Sequence, residues 1–89
     1  MIQEKIEQQI RYAELKHGEF KGTLERKLFY LWEEVGEVIQ EINNIHETGK
    51  GYIELDFELS QVGAVVYRFM ESIADKVREE KEKQVTLFN

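Results

Sequence analysis

Three carboxylates, Glu33, Glu34 and Glu37, fall within five positions of the run Leu31-Trp32-Glu33-Glu34-Val35-Gly36-Glu37-Val38. A fourth, Glu58, sits in a later apolar stretch, with Gln61 three residues beyond it. Acids in this pattern suit a hard divalent cation. Magnesium takes six oxygen ligands at about 2.1 Å and leaves some positions to water and substrate phosphates. Carboxylates three apart on one helix and further ligands on its neighbour can converge on such an ion. Spacing alone leaves a second reading open, a plain acidic face bathed in solvent. Glu58 favours the first, because an acid inside an apolar seam is rarely left unpaired.

Helices must position these groups. At about 100° per residue, Leu24, Leu28, Leu31, Val35, Val38, Ile42 and Ile45 form one apolar seam. Glu34 lies about 60° from its centre. Tyr30, Glu34, Glu37 and Glu41 line up along the flank, with Glu33 turned further away. The sequence predicts this helix from Thr23, its N-cap, to about Thr48. A preceding helix is expected from about Ile2 to His17, with Ile6, Ile10, Ala13 and Leu15 on its apolar side and Gly18 ending it. Phe20, in the connection, is expected to tuck into the core.

Gly49-Lys50-Gly51 reads as a tight turn, so the next helix, from Tyr52 to about Lys83, runs antiparallel to the second. Its seam holds Leu55, Leu59, Val62, Val66, Phe69, Ile73 and Val77, with Glu58 about 50° from the centre. The end is a solvated tail with i,i+4 charge pairs, and Gln84–Asn89 are expected to fray. Glu34 lies 16 residues before Lys50 and Glu58 only 8 after it. A simple hairpin therefore leaves them about 12 Å out of level.

The chain has 89 residues, 42% of them hydrophobic and 34% charged, which fits one small domain over 1–89. Absent cysteine excludes disulfides and thiolate zinc sites. No apolar run reaches a membrane span and no leader stands out, so a cytoplasmic location is expected. The net charge of -6 disfavours nucleic-acid polymers and anionic membranes as partners. A nucleotide would have to arrive with metal or meet a local basic group.

With no alternating strand pattern and no proline, the fold class is all-α. Phe29, Trp32 and Ile39 lie across the second helix from the acidic flank and also need cover. An antiparallel helical bundle completed by homo-oligomerisation, as a homodimer or homotetramer, answers that need. Simple coiled-coil dimerisation is the other solution.

The run Lys27-Leu28-Phe29-Tyr30-Leu31-Trp32-Glu33-Glu34-Val35-Gly36-Glu37, followed by Glu58-Leu59-Ser60-Gln61-Val62, resembles the MazG-like all-α nucleoside triphosphate pyrophosphohydrolases. Lys16-His17-Gly18-Glu19-Phe20 and Thr23 also look like the segment upstream of the family's first acidic helix, and the resemblance covers roughly 10–75. That family carries Glu-x-x-Glu on one helix and Glu-x-x-Asp on the next, jointly binding magnesium. The resemblance implies hydrolysis of a nucleoside triphosphate to the monophosphate and pyrophosphate. It implies Glu34, Glu37 and Glu58 as metal ligands, with Gln61, where the family has aspartate, as a neutral, weaker one. Glu33 is the candidate to help orient water or to hold a second ion. Lys16, Lys21 and Arg26 are the nearest cations for phosphates or else plain surface charge. Trp32 or Phe20 can stack on a base or pack in the core. Read with a single helix to Lys83, the chain lacks the family's separate fourth helix. A degenerate member that binds nucleotide or protein without hydrolysis is the alternative.

Overall fold

The computed structural model describes residues 1–88, with side chains described as far as Gln84. Among the described residues there are four helices and no strand: α1 (Ile2–His17), α2 (Leu24–Thr48), α3 (Tyr52–Ser72) and α4 (Ala74–Phe88). The all-α class and the bounds of α1 and α2 agree with the sequence. Thr23 caps α2 as expected, its side-chain oxygen accepting from the Arg26 N–H at 3.1 Å. No helix among the described residues is long and apolar enough to cross a membrane.

The third predicted helix is two. Ser72 Oγ donates to the Phe69 carbonyl at 2.7 Å, and the Ile73 N–H reaches the Met70 carbonyl at 3.3 Å. This tightens the backbone to i−3 bonding and interrupts the α-helix there. A fourth helix therefore exists. Among the described residues it touches only α3, and the long axis of 59 Å shows it continuing α3's course rather than folding back. Lys76–Glu79 and Asp75–Arg78 are charge pairs on it at i,i+3. Gln84–Asn89 are expected from the sequence to fray, but the backbone is helical to Phe88, and Asn89 lies outside the described residues.

α3 packs between α1 and α2, which do not touch each other. Lys5 pairs with Asp56 at 2.7 Å near the start of α1 and α3. Arg68 donates to the Gly18 carbonyl at 2.6 Å near their ends, so these two helices run parallel. Gly63 lets them approach: a Cβ there would stand 3.0 Å from Ile6 Cδ1. Leu15 does not join this contact and is 89% exposed, being about 140° round the helix from Ile10.

The α2–α3 turn corrects the expected 12 Å offset. Gly51 has φ of 119°, and a Cβ on it would lie 2.7 Å from Asn44 Nδ2 and 3.4 Å from Ile45 Cγ1. α3 thus begins beside Asn44 and Ile45, about one turn below the tip of α2, and not opposite Lys50. Thr48 Oγ1 and Asn44 Nδ2 hold this turn, both donating to the Lys50 carbonyl at 3.2 Å. Counting down from there sets Glu58 level with Glu37 and Gln61 level with Glu34, and Glu34 stands only about one turn, roughly 5 Å, from Glu58.

A single chain buries little apolar side chain. Among the described residues Ile10 and Ala64 are the buried apolar ones, while Leu59, Val66 and Val77 of the predicted α3 seam remain about half exposed. The accessible surface is 7467 Å², against about 5,500 Å² for a compact monomer of this mass. The radius of gyration is 16.7 Å, against about 12 Å for a compact chain of this length.

Gly51→Ala is expected to destabilise the chain by about 1–3 kcal/mol, through the positive φ and the clash with Asn44. Urea unfolding checks it; an unchanged midpoint would mean the turn does not set the register.

Candidate functional site

Because α1 and α2 stand apart on α3, a groove of about 760 Å³ opens between them. Its wall on α2 carries Tyr30, Glu33, Glu34 and Glu37; its floor on α3 carries Glu58, Gln61, Ala64 and Arg68. The α1–α2 connection closes one end, held by Phe20, whose ring lies 5.8 Å from both the Tyr30 and Phe69 rings. Phe20 is packed as expected.

One oxygen from each of Glu34, Glu37 and Glu58 lies within 4.8 Å of the others. Ligands of an octahedral ion at about 2.1 Å stand roughly 3.0 Å apart in cis and 4.2 Å in trans. A small inward movement of the side chains therefore meets magnesium's geometry. Among the described residues no lysine, arginine or histidine forms an ion pair with these acids. The chain gathers three negative charges and does not neutralise them itself. Hard anionic oxygens without a protein cation are the donor set that magnesium accepts.

Gln61 joins the cluster as a donor. With its amide nitrogen turned to the acids, it donates to Glu34 Oε2 at 3.1 Å and Glu58 Oε2 at 3.0 Å; the opposite orientation would set oxygen against oxygen. To ligate a cation, the amide must turn over and present its oxygen.

Repulsion appears in the acids' proton affinity. Burial, then hydrogen bonding to Glu37 and the charges of Glu37, Glu34 and Glu41, raise Glu58 from the usual 4.5 to about 7. Burial also raises Glu34, with Glu37 and then Glu33 adding to it. Both effects disfavour the charged form.

Lys16, Lys21 and Glu33 also line the groove. Lys16 sits over the Tyr12 ring, 5.6 Å from its centroid, and Lys21 pairs with Glu19 at 3.6 Å. Trp32 is not brought there: it is 71% exposed and points about 160° round α2 from Glu34. Arg26 does not line the groove either. Arg68 does. By sequence it belongs to the stripe Glu54, Gln61, Val65, Arg68 and Ser72 beside the α3 seam. It is also the alternative ion-pair partner of Glu58, a pair that does not form among the described residues. Its signal was the interval of seven from Gln61, which returns a residue to the same helix face.

No family model, no curated protein and no solved structure matches this chain.

The folded chain holds the Glu58 proton more tightly than the unfolded chain does. This stabilising contribution is full below about pH 4.5 and is lost as pH rises through about 7. Glu58→Gln is expected to flatten that decline, read from urea midpoints at about pH 5 and about pH 8 without divalent cations. An equal slope in both proteins would remove Glu58 from the repulsive cluster.

Proposed function

We propose that this chain is a magnesium-dependent nucleoside triphosphate pyrophosphohydrolase of the MazG-like kind. The observation that carries the reading is the convergence of Glu34, Glu37 and Glu58 within 4.8 Å on a groove whose other end is cationic. The register of the α2–α3 turn brings together the three acids whose spacing resembles the family.

Glu34, Glu37 and Glu58 would hold the metal, and Gln61, its amide reversed, would add a neutral oxygen. Bound magnesium supplies charge neutralisation at the phosphoryl oxygens. Glu33, exposed on the groove wall beside Glu34, orients the attacking water and accepts its proton. Water attacks the α-phosphorus, the bond to the bridging oxygen breaks, and nucleoside monophosphate and pyrophosphate leave. Lys16 and Lys21 line the groove for phosphate charge. The amide at Gln61 favours the alternative of binding without hydrolysis: with its nitrogen turned to the acids it donates to Glu34 and Glu58, where an aspartate would add charge for the cation.

The working form is a homo-oligomer, a homodimer or homotetramer. Leu28, Trp32 and Ile39 on α2 and Leu59, Val66 and Met70 on α3 are all exposed, and on each helix they lie away from the groove. The excess surface of roughly 2,000 Å² per chain suits an obligate interface. On this account Trp32 serves the interface and not a base.

Incubation with mixed nucleoside triphosphates and magnesium is expected to yield monophosphates and pyrophosphate. Gln61→Asp is expected to bind magnesium more tightly and Gln61→Glu to control for reach. Binding of magnesium and nucleotide without product would establish the non-hydrolytic alternative, and no magnesium binding would end the metal-centred reading. Light scattering at micromolar concentration is expected to report at least a dimer, with Trp32→Glu shifting it toward monomer; a wild-type monomer would refute the assembly.

A further inference from the structure

Arg68 is the group in the groove that the acid cluster leaves unexplained. It is 7% exposed, yet among the described residues no carboxylate forms an ion pair with it. Nη2 donates to the Gly18 carbonyl at 2.6 Å, and the guanidinium rests 5.3 Å from the centroid of the Phe20 ring. A guanidinium has five N–H donors and does not shed its charge. One neutral carbonyl and one ring take up part of that capacity. No side-chain nitrogen in the described residues is buried without a partner, so the remaining N–H donors open to the groove and its solvent. A buried cation without a counter-charge is unfavourable, and this one lines a groove that an anion can enter.

Its position indicates the kind of anion. Gln61 and Arg68 are seven residues apart on α3, two turns along one face and about 10 Å in rise. Ala64 and Val65 line the groove between them, and the guanidinium sits at the Gly18 and Phe20 end. Glu19, the acid at the same end, is engaged by Lys21 at 3.6 Å. The groove thus has a pole that attracts a cation and, an extended ligand's length away, a pole that attracts an anion.

We infer that Arg68 is the anion-binding residue of this groove. Its free N–H donors hold the phosphoryl group of a metal-chelated polyphosphate that lies furthest from Glu34, Glu37 and Glu58. This rests on the metal-centred reading above and gives Arg68, rather than Lys16 or Lys21, the main phosphate contact.

The probe is the preformed magnesium complex of inorganic tripolyphosphate, titrated calorimetrically into the whole chain as wild type, Arg68→Gln and Arg68→Lys. Magnesium alone is titrated in parallel. Arg68→Gln is expected to weaken tripolyphosphate binding about tenfold to a hundredfold, while affinity for magnesium alone stays within about twofold. Arg68→Lys recovers part of the loss, because lysine keeps the charge but lacks the fork that spans Gly18 and a phosphoryl oxygen. Phe20→Leu, which removes the ring but not the guanidinium, retains tripolyphosphate binding. Wild-type affinity in Arg68→Gln overturns the inference and leaves Arg68 as a brace on Gly18. Joint loss of magnesium and tripolyphosphate in that variant overturns it too, since the acid cluster would then have collapsed. A wild type that binds magnesium but no tripolyphosphate defeats this inference alone, and one that binds neither defeats the metal-centred reading with it.

Discussion

Mutual repulsion among Glu34, Glu37 and Glu58 is the constraint on which the rest of this structure depends. Left to themselves, three half-solvated carboxylates would spread apart, and their separation within 4.8 Å must be imposed from outside the cluster. The imposing element is the α2–α3 hairpin. Its turn, tied by Thr48 and Asn44 to the Lys50 carbonyl, starts α3 low enough on α2 to bring the acids level. The Gln61 amide then screens two of them with donated hydrogen bonds. Burial, and with it the repulsion that remains, raises the proton affinity of Glu58 and Glu34. A site that binds protons this readily is one that a cation can take over.

The same hairpin shapes the groove. α3 lies in the middle, with α1 on one side and α2 on the other, so the two outer helices never meet and a cleft stays open between them. Gly63 brings α1 close to α3, and Phe20 fills the end of the cleft between Tyr30 and Phe69. The opposite side of α3 carries apolar residues, Leu59, Val66 and Met70, that stay exposed among the described residues. Architecture thus separates two tasks: polar chemistry faces the cleft, and hydrophobic burial is left to the far face. A helix pair with so thin an internal core gains stability from burying that face, since apolar surface removed from water contributes about 25 cal/mol per Å².

Much of this was legible in the sequence. Helical periodicity, the Thr23 cap and the glycine pairs gave α1 and α2 to the residue, and Glu58's place in an apolar seam pointed to a second half of the acidic site. The register was not legible, because it turns on whether Gly51 sits opposite the tip of α2 or beside Asn44, a matter of φ and of contacts to a missing Cβ. The break at Ile73 was hidden because the apolar spacing runs straight through it, while a local Ser72 hydroxyl bond and i−3 bonding end the helix. Leu15 was placed on the core side by its type, although its angle turns it to solvent. Arg68 was read as one of a polar stripe; only burial and the absence of an acidic partner distinguish it.

The central claim is that the three glutamates form one cation site. Paramagnetic broadening by manganese, a stand-in for magnesium of similar ligand preference, tests it most directly. In heteronuclear NMR spectra titrated with sub-stoichiometric manganese, the account predicts early loss of the signals of Glu34, Glu37, Glu58 and Gln61, reversed by excess magnesium. Broadening spread evenly over the acidic surface, or centred on the charged α4 segment around Glu79 and Glu80 while the groove signals persist, would contradict it.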